Sequence, residues 1–280
     1  MSFSRPRPHA PPLTRPKKFF GQHFLVDPRV QEKIVQAFEL RPGGTVVEIG
    51  PGRGALTGWL VDQDIRLFAI ETDRELFAWL KKKYQAKTTA SFIQADVLRY
   101  DLSSLPDDLV VVGNLPYNIS TPILERMIGF RHKIRAAYFT VQLEFGERLA
   151  AHENSKQYGA LSCFIQYFAD VDLLFKIQRG SFRPVPKVMS CLVKIVFRPP
   201  RYPALNEEKC SQLIRRAFQQ RRKKILNALA DYGDRNFLES VLTKVRIPLT
   251  ARPENISLKQ FVDLSNALIE KDKMTRGEIK

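Results

Sequence analysis

Short apolar runs alternate with amphipathic stretches along most of this chain. Residues 45–49, 66–70, 91–94 and 109–112 are brief runs bounded by turn residues, and they predict four strands. The run 109–112 has no alternation, the pattern of a strand buried on both faces of a parallel sheet. Asp27 followed by Pro28 predicts an N-cap and first helical position for a helix to Phe38, and a further helix is expected over 55–61. Helices are then expected over 121–128, 143–151 and 161–168, with strands over 135–141, 171–178 and 190–197. From Arg198 to Pro203 the composition is that of a linker, and beyond it the pattern is helical. Strands alternating with helices predict an α/β fold. Its parts are expected to be an irregular basic arm over 1–17, an α/β domain over 18–200 and a small all-helical domain over 201–280.

The ends of the four strands carry the chemistry. Gly50, Glu71, Asp96 and Asn114 follow successive runs, and ligands of open α/β sheets bind outside the carboxyl ends of the strands. The turn Gly50-Pro51-Gly52-Arg53-Gly54 permits close approach to the backbone, as nucleotide sites require. No Gly-Lys-Ser/Thr follows it, which argues against a phosphate-cradling loop, and its spacing departs from G-x-G-x-x-G. Glu48 at its mouth repels a pyrophosphate but suits an amine or a sulfonium. This set predicts S-adenosylmethionine rather than NAD or ATP. Glu71 lies about 20 residues past the glycine turn, where ribose hydroxyls are taken, and Asp96 can accept from an adenine amino group.

Asn114-Leu115-Pro116-Tyr117 has a second use. Pro116 biases Leu115 towards an extended conformation and keeps its carbonyl out of a helix ladder. The Asn114 oxygen and the Leu115 carbonyl can each accept one N–H of a planar amine while Tyr117 stacks on the attached ring. Prolines in Ser181-Phe182-Arg183-Pro184-Val185-Pro186 stiffen a loop expected to expose Phe182 as a second ring across the bound base. Each residue alone also suits a cap or a turn, so their conjunction carries the reading.

Charge adds a polyanion to this picture. The net charge of +16 resides mainly at the two ends: residues 1–20 hold five Lys/Arg and no acid, and residues 198–280 hold 18 against 10. The run 215–224 contains six cations and no acid, with Phe218 and Ile225 expected to face inward, and it reads as a phosphate contact. Cys163, Cys191 and Cys210 form no C-x-x-C and no pairing with histidine at zinc spacing, so no metal and no disulfide framework is expected. No apolar run approaches the length of about 18 residues that a membrane span needs. A cytoplasmic protein without a membrane partner is expected.

Together these motifs resemble the small-subunit ribosomal RNA adenine N6-dimethyltransferases, KsgA-type in bacteria. The resemblance is carried by Gly21-Gln22-His23-Phe24-Leu25, Glu48 to Ala55, Glu71 with Asp73, Ala95-Asp96, Asn114 to Ser120, Phe182 to Val188 with Ser190, and Phe218 with Arg221-Arg222-Lys223. It implies a Rossmann-like sheet with helices on both faces and a helical C-terminal domain. It also implies S-adenosylmethionine-dependent dimethylation of two adjacent adenosines in the 3′-terminal hairpin of 16S rRNA, on the immature small subunit, by a monomer. By the same resemblance His23, Leu25, Gly50, Glu71, Asp96 and Asn114 are the cofactor contacts. Asn114, Leu115, Tyr117 and Phe182 are the base contacts, and Arg221, Arg222 and Lys223 hold RNA. Position 23 is commonly Asn in the family. Two rivals remain: a methylase of large-subunit rRNA, and a binding protein that uses the fold as an assembly or transcription factor, with methylation incidental.

Overall fold

The structure, a computed structural model, describes residues 23–275. The arm expected over 1–17, and Gly21 and Gln22, lie outside them. In chain order the elements are β1 (Phe24–Leu25), α1 (Pro28–Gln36), β2 (Gly44–Ile49), α2 (Thr57–Leu60), β3 (Ile65–Glu71), α3 (Arg74–Lys83), β4 (Ala90–Gln94), β5 (Leu109–Asn114), α4 (Ser120–Gly129) and β6 (Ile134–Gln142). They continue with α5 (Leu143–Leu149), α6 (Ala160–Phe168), β7 (Ala169–Ile177), β8 (Phe182–Arg183), β9 (Ser190–Phe197), α7 (Glu207–Gln219), α8 (Ile225–Ala228), α9 (Arg235–Lys244) and α10 (Leu258–Thr275).

The described residues divide between two compact units, one drawn from Met1–Gly146 and Val171–Arg198, the other from Glu147–Asp170 and Pro199–Lys280. This corrects the single boundary expected at residue 200. Helix α6 buries Cys163, Ile165, Tyr167 and Phe168, and it packs with α7 and α10. Burial of the helix face, rather than position in the chain, decides its unit.

In the first unit seven strands form one sheet in the order β4-β3-β2-β5-β6-β9-β7. The pairs β4–β3, β3–β2, β2–β5 and β5–β6 are parallel, and β9 joins β6 antiparallel. Alternate residues of the central strands point to opposite faces, and both sets are buried: Val110 and Val112 on one, Val111 on the other. The first set forms one apolar cluster with Ile34, Val35 and Phe38 at α1, Trp59 and Leu60 of α2, and Leu80 and Tyr84 at α3. Asp27 caps α1 as the sequence predicts, its Oδ1 accepting from the Arg29 amide at 3.0 Å. As a separate two-stranded sheet, β1 and β8 pair antiparallel, Phe24 opposite Arg183 and Leu25 opposite Phe182.

The second unit contains α6 to α10. Phe218 lies between the rings of Tyr158 and Phe261, at 5.7 Å from each, and Ile225 is fully buried; both face inward, as their spacing predicts. Helix α7 ends at Gln219, so the cations from Arg221 to Lys224 sit in a turn rather than on a helix. No helix of the described residues is long and apolar enough to cross a membrane.

Candidate active site

Strand register decides what meets at the sheet edge. Strand β2 lies between β3 and β5, so the direction of winding reverses there and a crevice opens beyond the carboxyl ends. Ile49 pairs with Ile70 on one side and Gly113 on the other, which makes Gly50, Glu71 and Asn114 neighbours. Glu71 pairs with Gln94, bringing Ala95 and Asp96 to the same edge. A cavity of about 390 Å³ fills the crevice, and its walls include His23, Leu25, Gly50, Glu71, Asp96, Asn114, Leu115 and Tyr117. Its size suits a nucleoside-bearing ligand. Of the residues singled out for cofactor and base, only Phe182 is absent from this wall.

The glycine turn is shaped for close approach. Gly50 and Gly52 have φ of +63° and +57°, and a side chain at Gly52 would come within 3.2 Å of the Phe24 ring. The Gly52 amide donates to Glu71 Oε2 and the Asp73 amide to Glu71 Oε1, both at 2.9 Å. Glu71 is buried, and that burial raises its pKa against the pull of the backbone donors. Each carboxylate oxygen has a second lone pair, so hydroxyl donors can still be accepted. Asp73 accepts from the Glu75 and Leu76 amides as the N-cap of α3, so its part is structural.

Glu48 lies at the buried base of the cavity. It accepts a hydrogen bond from Thr57 Oγ1 at 2.7 Å. Burial, aided by the charge of Glu71 and opposed by the Thr57 bonds, pushes its pKa up to about 7. A cation entering the cavity would draw it to the carboxylate form. Asp96 Oδ1 accepts from the Leu98 amide at 2.9 Å, which fixes the carboxylate and leaves its other oxygen for a ligand.

Four contacts organise the tetrapeptide at the end of β5. Asn114 Nδ2 donates to the His23 carbonyl at 2.8 Å; since a carbonyl can only accept, this assigns the amide nitrogen and leaves Oδ1 as the acceptor. The Leu115 amide donates to the Thr140 carbonyl at 3.0 Å, and the following proline keeps the Leu115 carbonyl out of the ladder of α4. The Tyr117 ring stacks on the His23 ring, with centroids 5.4 Å apart and planes inclined by 27°. The Tyr117 hydroxyl lies 2.9 Å from Ser190 Oγ, a partner the sequence reading did not foresee although Ser190 stood in one of its motifs. His23 Nδ1 is 2.8 Å from the Pro184 carbonyl and must donate to it. Arg53, also unforeseen, lines the cavity with its guanidinium 4.5 Å from the Phe24 ring centroid.

The structure overturns one expectation, the exposure of Phe182, and gives Arg221 partners within the protein. Phe182 is fully buried, in one apolar cluster with Leu25, Val112, Tyr138 and Leu192; pairing of β8 with β1 turns its ring into the core, so it offers no face to a base. Arg221 is committed within the second unit, its Nε donating to Glu254 at 2.6 Å and its Nη2 to the Lys156 carbonyl at 2.7 Å. Its neighbours Arg222, Lys223 and Lys224 are exposed. Among the described residues no three of His, Cys, Asp or Glu gather as a metal site.

The sequence matches the family described as ribosomal RNA adenine dimethylase over residues 14–270. It is 40% identical over 257 residues to the ribosomal RNA small subunit methyltransferase A of Acinetobacter baylyi, covering 90% of this chain and 92% of that protein. It is 39% identical to the protein of that name in Pseudomonas aeruginosa, covering 91% and 96%. Among solved structures, a dimethyladenosine transferase from Plasmodium falciparum shares the fold with a TM-score of 0.75 and 24% identity, covering 90% of this chain and 98% of that one. The 23S rRNA methyltransferase ErmE superposes with a TM-score of 0.69 and 26% identity, covering 88% and 99%.

Proposed function

Given that the chain belongs to the ribosomal RNA adenine dimethylase family, we propose that it dimethylates N6 of two adjacent adenosines in the 3′-terminal hairpin of 16S rRNA, late in small-subunit assembly. The activity at the level of the family is S-adenosylmethionine-dependent dimethylation of rRNA adenine. The choice of subunit rests on relatives about 40% identical that are named for the small subunit. We further propose that the protein works as a cytoplasmic monomer.

The single observation that most supports an amine substrate is the assigned orientation of Asn114. With Nδ2 spent on the His23 carbonyl, an acceptor remains beside the Leu115 carbonyl at the strand end. An adenine N6 lone pair is delocalised into its ring and is a poor nucleophile. Two acceptors that draw both hydrogens to one side turn the nitrogen out of that conjugation and present its lone pair. Catalysis on this reading is chiefly positioning. No general base is needed, because the alkylated nitrogen is acidic enough to give its proton to water. The target base must leave its stack at a cost of about a few kcal/mol, and stacking on Tyr117, on the face not covered by His23, offsets part of it.

The residues present suit the cofactor. Glu71 has acceptor capacity for ribose hydroxyls, the outer oxygen of Asp96 for an adenine amino group, and Glu48 a charge for a cation. Leu25 and the turn at Gly50 form apolar and backbone walls, and His23 contributes its carbonyl's hold on Asn114. Once bound, S-adenosylmethionine supplies a methyl group already activated on a sulfonium. In the second unit Arg222 and Lys223 are assigned to phosphates of the RNA, without Arg221.

The test is methyl transfer from tritiated cofactor to immature small subunits, large subunits and naked rRNA, with N6,N6-dimethyladenosine identified by mass spectrometry. Label confined to small-subunit rRNA, two adjacent residues per particle, is expected. Label on large-subunit rRNA would replace this reading with the rival specificity.

A further inference from the structure

The Tyr117 side chain is held at its ring by His23 and at its hydroxyl by Ser190. Ser190 Oγ, 2.9 Å from the Tyr117 hydroxyl, belongs to the first residue of β9. That residue pairs with Gln142 of β6 and is fully buried. The sheet therefore fixes the backbone from which this hydroxyl projects, and burial confines the side chain. Tyr117, by contrast, sits outside the sheet in the turn between β5 and α4, where the nearest side-chain bond is that of Ser120 Oγ to the Pro116 carbonyl at 3.0 Å. A ring in such a turn has several staggered and roughly two-fold orientations available. Stacking of His23 bears on the ring face and leaves the hydroxyl end to be held by Ser190.

We propose that Ser190 is a positioning residue for methyl transfer, its hydroxyl pinning the Tyr117 phenol so that the exposed ring face lies where the target adenine must stack. The proposal rests on the reading above that Tyr117 carries the base. Ser190 touches neither cofactor nor base; it acts through Tyr117. A base stacked on a turning ring would present N6 to Asn114 and Leu115 over a range of angles, and transfer depends steeply on that alignment. The Tyr117 hydroxyl thereby gains a function that stacking alone does not require. Burial raises the phenol's pKa, so the hydroxyl keeps its proton and the bond persists across the working pH range.

The test is a double-mutant cycle of Tyr117→Phe and Ser190→Ala in the full chain, read by single-turnover methylation of small subunits at saturating cofactor and by calorimetry of S-adenosylmethionine. Each single change should slow transfer about three- to tenfold, the worth of one net hydrogen bond. The double variant should be no slower than either single one, and cofactor affinity should stay that of the unaltered protein. Losses that multiply, or Ser190→Ala at the unaltered rate, would overturn the proposal. Should Ser190→Ala also lose cofactor binding, Tyr117→Phe decides alone, and an unaltered rate there overturns it. Absence of transfer by the unaltered protein would overturn the functional reading, and this proposal with it; transfer intact with both variants unimpaired overturns only this one.

Discussion

The edge of the sheet and the basic turn after α7 both stand out in the sequence, yet folding treats them in opposite ways. At the sheet edge, Glu71, Asp96 and Asn114 each spend part of their hydrogen-bonding capacity on the backbone and keep the rest facing a common cavity. In the cationic run, Arg216 is paired with Asp231 and Arg221 with Glu254, while Arg222 to Lys224 stand exposed. A strand end fixes where its residue goes. A run of like charges fixes only a count, and distant acids decide which members remain available.

The largest effect expected on the sheet-edge side comes from Asn114→Ala. It removes one of two acceptors in a pre-organised site, which costs ~100-fold or more in single-turnover rate. A rate within a few-fold of the unaltered enzyme would show that Leu115 alone orients the amine. Asp96→Asn is a sharper probe than alanine, because the amide can still accept from Leu98 while its nitrogen opposes an incoming amino group. We expect calorimetry to give a cofactor dissociation constant several-fold to ~100-fold higher, from a loss of about 1–3 kcal/mol. An unchanged constant would remove Asp96 from the adenine end.

Glu48 sharpens the same side through pH. Its pKa of about 7 is raised from 4.5, so ionisation costs the empty fold stability as pH rises through that window. A bound cation favours the carboxylate and removes that cost, so cofactor affinity should rise about several-fold between pH 6 and 8. Binding at pH 7 should also release a proton, measurable by calorimetry in buffers of different ionisation enthalpy. Glu48→Gln should flatten the profile; a profile unchanged by it would trace the proton to another group.

The smallest effects separate members of the basic run. Arg222→Ala with Lys223→Ala should leave the melting temperature alone and reduce the salt slope of rRNA binding by about one unit per lost phosphate contact. Arg221→Ala should do the reverse, lowering stability by about 1–2 kcal/mol through the lost ion pair and carbonyl bonds. Identical salt slopes in Arg222→Ala/Lys223→Ala and the unaltered protein would erase the distinction drawn between the regions.

The four strands β2 to β5 and their terminal residues could be read in advance because short apolar runs and parallel winding leave strong local patterns, and the register then follows. Phe182 was misread because its orientation comes from a pair of strands only two residues long, too short for any periodicity. Prolines around it announced stiffness, not exposure. The commitment of Arg221 to Glu254, 33 residues away, leaves no trace in the charge pattern. Likewise the placement of residues 147–170 depends on which helices cover α6, and its own amphipathic face does not name them.

The pairing of β1 with β8 also sets an order of events during synthesis. Phe24 and Leu25 leave the ribosome well before Arg183 and Phe182, the residues they pair with. At about 5–20 residues per second the interval is roughly 10–30 s. Throughout it the His23 carbonyl, which assigns the Asn114 amide, precedes a strand that lacks its partner. The glycine turn, Glu71, Asp96 and Asn114 are all translated by then, so most of the cofactor wall exists before its last side is secured. The partner of β1 is thus made only with the late strands, and a product ending before Phe182 is expected to bind cofactor weakly.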